Sequence, residues 1–179
     1  MTQDREQQLV ISAIGEDRPQ LVSQLTAAIS DCGANIMDSR MTLLGGEFAV
    51  LILVSAPWNA IVKLESALPG LEQELELTLI SKRTDVKTPQ PRALPYHVEV
   101  ISVDHPGIVN QIAGFFSEQG VGIQELDTSR YMAAHTAVPM FSIDMTIKIP
   151  SDLSINSLRE RFFMLCDEQN LDAIIEPIK

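Results

Sequence analysis

The 179-residue chain lacks most of the side-chain groupings on which catalysis is built. Its three histidines, His97, His105 and His135, are scattered and have no Cys, Asp or Glu partner at ligand spacing, which argues against a zinc site. No nucleophile stands with a base, and no pair of carboxylates is matched for acid–base work. No glycine-rich phosphate loop occurs either. Gly45 and Gly46 suit a hairpin turn, and Gly15 lacks the further glycines of a dinucleotide fingerprint. The chain therefore reads as non-enzymatic, with no cofactor and no metal.

Aromatic and basic residues are also scarce. One Trp, two Tyr and six Phe leave few platforms on which RNA bases could stack. Thirteen basic residues against 24 acidic ones give a net charge of −11, which repels a phosphate backbone. Direct nucleic-acid binding is thereby disfavoured. The longest apolar run, Phe48 to Val54, falls well short of the roughly twenty residues that cross a bilayer. Met1 to Gln8 is polar where a signal peptide would be basic and then apolar, so a cytoplasmic location is expected. The two cysteines, Cys32 and Cys166, each lie on an apolar helical stripe and read as small buried residues, not as a disulfide.

What the chain does contain is a repeat. Asp104, His105, Pro106 and Gly107 precede Ile108, Val109, Ile112, Phe115 and Phe116 at helical spacing, and Gly120 closes the stretch. Eighty-seven positions earlier stand Asp17, Arg18, Pro19 and Gln20, then Leu21, Val22, Leu25, Ala28 and Ile29, closed by Gly33. Val22/Val109, Gln24/Gln111, Ser30/Ser117 and Ile36/Ile123 are identical across the copies. Each copy reads as a strand ending at an Asp, a Pro at the first position of a helix, and a Gly that stops it. The Asp could cap the helix with its side chain. Alternatively, the exposed N–H groups at this corner could hold the carboxylate of a small amino acid, with Gly107 permitting close approach. The residues alone leave both open.

Around the repeat, periodicity gives the order β, α, β, β, α, β twice. The expected fold is α+β, two ferredoxin-like modules in tandem. The first module is expected over residues 1–84 and the second over 96–179, with residues 85–95, containing Pro89, Pro91 and Pro95, as a stiff linker. Pro69 and Gly70 are expected to interrupt the second helix. Asp38, Ser39 and Arg40 align best with Thr128, Ser129 and Arg130, a slip of three residues that a bulge or a longer entry loop in the second copy would absorb. Arg40 and Arg130 could pair with a ligand carboxylate or with a carboxylate of the neighbouring module. Trp58 reads as a packed or interface aromatic.

Asp17-Arg18-Pro19 and Asp104-His105-Pro106-Gly107, each at a strand-to-helix corner before a β-rich second half, resemble the signature of ACT domains, small-molecule-binding regulatory modules. Cys32 to Ile36 with Asp38-Ser39-Arg40, Trp58-Asn59-Ala60-Ile61, and Leu165 to Glu168 with Asn170-Leu171 resemble more narrowly the tandem-ACT regulators of glycine cleavage. The resemblance implies a transcriptional repressor that responds to an amino acid, glycine first. It would contact a DNA-binding activator protein rather than DNA, and a homodimer is compatible with it. A regulatory subunit or adaptor of an amino-acid enzyme is the alternative. Carried over, the ligand residues are Asp17, Arg18, Pro19, Gln20 and Asn35 in the first copy, and Asp104, His105, Pro106, Gly107 and Ile108 in the second. The family pattern expects Gly after the Pro and Asn at the start of the second strand. The first copy has Asn35 but Gln20; the second has Gly107 but Gly122. Either the site is composite across modules or ligand binding has weakened.

Overall fold

The structure, a computed structural model, describes residues 6–85 and 93–178, so residues 86–92 of the expected linker lie outside the described residues. The chain divides into two compact units, Met1–Thr88 and Pro89–Lys179. Each is a βαββαβ module with a four-stranded antiparallel sheet.

In the first unit β1 (Gln7–Glu16), α1 (Leu21–Asp31), β2 (Asn35–Leu44), β3 (Glu47–Ala56), α2 (Trp58–Leu75) and β4 (Thr78–Thr84) follow in turn. The strand order is β2-β3-β1-β4. Leu9, Ile11 and Ala13 of β1 and Phe48, Val50, Ile52 and Val54 of β3 alternate onto one face. There they meet Leu21, Leu25 and Ile29 of α1 and Ile61, Leu64 and Leu68 of α2. Each fully buried aliphatic residue contributes about 1.5–3 kcal/mol of transfer free energy, which makes this face the main source of the module's stability.

The second unit repeats the plan with β5 (Leu94–Val103), α3 (Ile108–Glu118), β6 (Gly122–Met132), β7 (Pro139–Ile149), α4 (Ile155–Gln169) and β8 (Asp172–Pro177). The order is β6-β7-β5-β8. Phe116 and Phe162 meet with ring centroids 5.1 Å apart at the centre of its core, and Phe115 stands edge-on to Phe116. Ser154 caps α4 by accepting a hydrogen bond from the Ser157 amide.

Two sequence expectations are corrected here. β5 begins at Leu94, inside the stretch assigned to the linker, and Pro95 lies opposite Lys148 of β7. Pro is tolerated because it stands at the start of the strand, where its carbonyl still accepts from the Ile178 amide. The second correction concerns α2, which runs unbroken through Pro69 and Gly70 to Leu75. A mid-helix Pro costs about 3 kcal/mol, but burial of Leu64, Leu68 and Leu75 on one side of the helix outweighs it.

Both cysteines are free and buried, as their helical stripes suggested. Burial, with a smaller contribution from Asp167, pushes the Cys166 thiol up to about 11. Its neutral form is therefore kept throughout the physiological range. Neither thiol should react with a thiol-specific disulfide reagent at pH 8 in the native protein, and both should react once it is unfolded. Rapid native labelling of Cys166 would contradict this packing.

Candidate functional site

The two Asp-x-Pro corners share one backbone design. In each, the residue after the Pro has a left-handed conformation: Gln20 at φ 76°, ψ −5° and Gly107 at φ 99°, ψ −8°. A Pro followed by such a residue is the pattern of a type II turn, in which Pro occupies the second place and the positive φ the third. Helix α1 accordingly starts at Leu21 and α3 at Ile108, two residues after the Pro in both modules. This corrects the placement of Pro19 and Pro106 at the first helical position. The Pro sets the turn, and the left-handed residue becomes the N-cap. Its carbonyl accepts the first helical bond, from Gln24 at 2.9 Å and from Gln111 at 3.0 Å.

Neither helix is capped by a side chain at its N-terminus, which removes the capping role considered for Asp17 and Asp104. Both aspartates instead pin the corner through their backbones. The Asp17 amide donates to the Gly46 carbonyl at 3.3 Å, and the Asp104 amide to the Pro139 carbonyl at 2.9 Å, tying each corner to the neighbouring hairpin. Arg18 donates to the Leu75 carbonyl at the end of α2, a favourable place for a cation.

The second corner opens onto a hollow of about 500 Å³ lined by Asp104, His105, Pro106, Gly107, Ile108, Val109, Asn110 and Phe141. Five of these residues were expected from the sequence. Ile108 turns its side chain into the core, which leaves only its backbone to the hollow. The Asp104 carboxylate forms an ion pair with Arg130 Nε at 2.7 Å. Arg130 thus pairs within its own module. Arg40 makes a local pair with Asp38 at 2.6 Å.

Strand register explains why the two arginines differ. Both modules have a bulge at the same place in the second strand, at Met37 and at Gln124, so the offset of 87 is kept. Arg130 faces Phe141, which faces Ser102; Leu43 faces Phe48, which faces Gly15. Arg130 is therefore the counterpart of Leu43, and the expected three-residue slip does not occur. Phe48 and Phe141 are 93 positions apart, so the second hairpin is six residues longer, and this insertion absorbs the mismatch.

Asn35 is not brought to the first corner. Its partner Ser55 faces Gln8 at one end of β1, whereas the corner follows Glu16 at the other. Eight residues of strand separate them, roughly 27 Å. Asn110 and Phe141 carry no signal in the sequence that marks them as site residues, Val109 reads there only as part of an apolar stripe, and Arg130 reads as one possible partner of a ligand carboxylate. The strand pairing of a βαββαβ module, which sets the start of β7 beside the end of β5, was the signal that could have found Phe141 and its partner Arg130.

A left-handed non-glycine residue costs about 1–2 kcal/mol. Gln20→Gly should therefore stabilise the protein by up to about 1 kcal/mol, and Gly107→Ala should destabilise it by about the same amount. A Cβ at Gly107 meets nothing within 4 Å, so the second effect is backbone strain alone. Thermal denaturation of both variants checks the signs, and no change in either would contradict the turn geometry.

Comparison with known proteins bears on this geometry. The ACT domain family model matches residues 7–81. The glycine cleavage system transcriptional repressor of Escherichia coli (strain K12) is 33% identical over 178 residues, 99% of this chain and 94% of the relative. A crystal structure described as a glycine cleavage system transcriptional repressor superposes with a TM-score of 0.76 at 30% identity, covering 98% of this chain and 99% of that one. A protein of unknown role from Galdieria sulphuraria matches with a TM-score of 0.80 at 27% identity, over 97% and 99% of the two chains. The chain belongs to the ACT-domain family and, within it, to the tandem-module regulators that include the glycine cleavage system transcriptional repressor.

Proposed function

We propose that the chain is a non-enzymatic, amino-acid-responsive repressor of the glycine cleavage genes, with glycine as its ligand. It acts in the cytoplasm by contact with a DNA-binding activator protein and not with DNA. The observation that carries this reading is the hollow at the Asp104–Asn110 corner, in a chain similar over nearly its whole length to a repressor of that system. A net charge of −11 favours indirect action, because phosphate contacts dominate the affinity of proteins that grip DNA themselves. Among the described residues no cluster of His, Cys, Asp or Glu could hold a metal.

A ligand as small as glycine has few atoms to engage. Its dissociation constant should lie between micromolar and millimolar, about 4–8 kcal/mol of binding free energy. Isothermal titration of the full chain with glycine and other amino acids should give saturable heat. Gly107→Trp, which places a bulky side chain at a lining position, should abolish it. Absence of heat with every amino acid would refute the sensing role. Capture of tagged chain from cells, with and without glycine, should recover a DNA-binding activator in a glycine-dependent amount; recovery of a biosynthetic enzyme instead would favour a regulatory subunit.

A further inference from the structure

We infer that the Asp104–Arg130 ion pair is a zwitterion clamp, confined to the second module, that opens to receive an α-amino acid. Asp104 would take the ligand's ammonium and Arg130 its carboxylate. The inference rests on the sensing function proposed above and adds which residues read the ligand, and in which module.

Three observations carry it. Asp104 lines the hollow directly, and Arg130 flanks it twice over, bonded to Asp104 at 2.7 Å and opposite the lining residue Phe141 in the β6–β7 register. The pair is also inexpensive to open. The Arg130 side chain is 66% exposed and that of Asp104 27%, and exchange of one partly exposed ion pair for two others conserves charge pairing. A zwitterion is the ligand that can do this, since a simple anion or cation would satisfy one partner and strand the other. Finally, the first module lacks the device. Leu43 occupies the position of Arg130, and Arg40, three residues earlier on the strand, lies opposite Leu51 with its side chain on the other face of the sheet from Leu43.

The hollow is far larger than glycine, so shape does not enforce a small side chain. The selection comes from the two charged ends. Both charges are needed, which separates α-amino acids from carboxylates and from amines.

Titration calorimetry on the full chain tests this with glycine, glycinamide, which lacks the carboxylate, and N-acetylglycine, which lacks the ammonium. One glycine should bind per chain, with both analogues at least tenfold weaker. Arg130→Leu, which copies the first module, should weaken glycine at least tenfold, and Arg130→Lys should recover part of the loss. The comparison of ligands on the unmutated protein keeps the test decisive should a variant fail to fold. Unchanged glycine affinity in Arg130→Leu, or glycinamide binding as tightly as glycine, would overturn the clamp and leave the sensing function standing. Two equivalent glycines per chain would overturn its confinement to the second module. Silence of the unmutated protein with all amino acids would overturn both readings.

Discussion

The strand-to-helix turn is the constraint on which each module depends. A proline followed by a left-handed residue reverses the chain at the end of the first strand, so that the helix runs back across the sheet. The aspartate amide before the proline then ties this corner to the adjacent hairpin. Once the turn is made, Leu21, Leu25 and Ile29, or Ile108, Ile112 and Phe116, land on the apolar face of the sheet. The same turn leaves the helix start without a side-chain cap and the aspartate side chain available for other work. The fold and the proposed recognition therefore share one piece of backbone.

Duplication has kept this scaffold and altered its chemistry. The turn residue is glycine in the second module, where positive φ is adopted without strain, and glutamine in the first, where it is not. The position facing the phenylalanine at the start of the third strand is Arg130 in one module and Leu43 in the other. The tight Gly45-Gly46 hairpin of the first module has become a longer loop in the second, and the phenylalanine behind it is fully buried at Phe48 but only half-buried at Phe141. Each change falls around the same corner, while both modules keep a buried apolar face between sheet and helices.

The sequence made the architecture legible because periodicity and the repeat agree. Alternation in Phe141 to Ile149 and the apolar stripe of α3 each point to one element type, and the second copy repeats the same order of elements. What stayed hidden depends on contacts distant in the chain. Pro69 looks like a helix breaker until the burial of Leu68 and Leu75 is known. Arg130 and Asp104 are separated by α3 and most of β6, and the strand register brings them together. Asn35 looked like a partner of the first corner because family patterns list residues without saying at which end of the sheet they stand. The similarity of Ser39-Arg40 to Ser129-Arg130 misled for a related reason, since matching letters can sit at different heights on a strand when a hairpin changes length.

The most direct measurement is an amide chemical-shift titration of the isotope-labelled full chain with glycine. Shifts should saturate together at Asp104 to Asn110, Arg130 and Phe141, with the corresponding residues Asp17 to Ser23, Leu43 and Phe48 unmoved. Saturable shifts centred on the first corner, or on no corner at all, would contradict this.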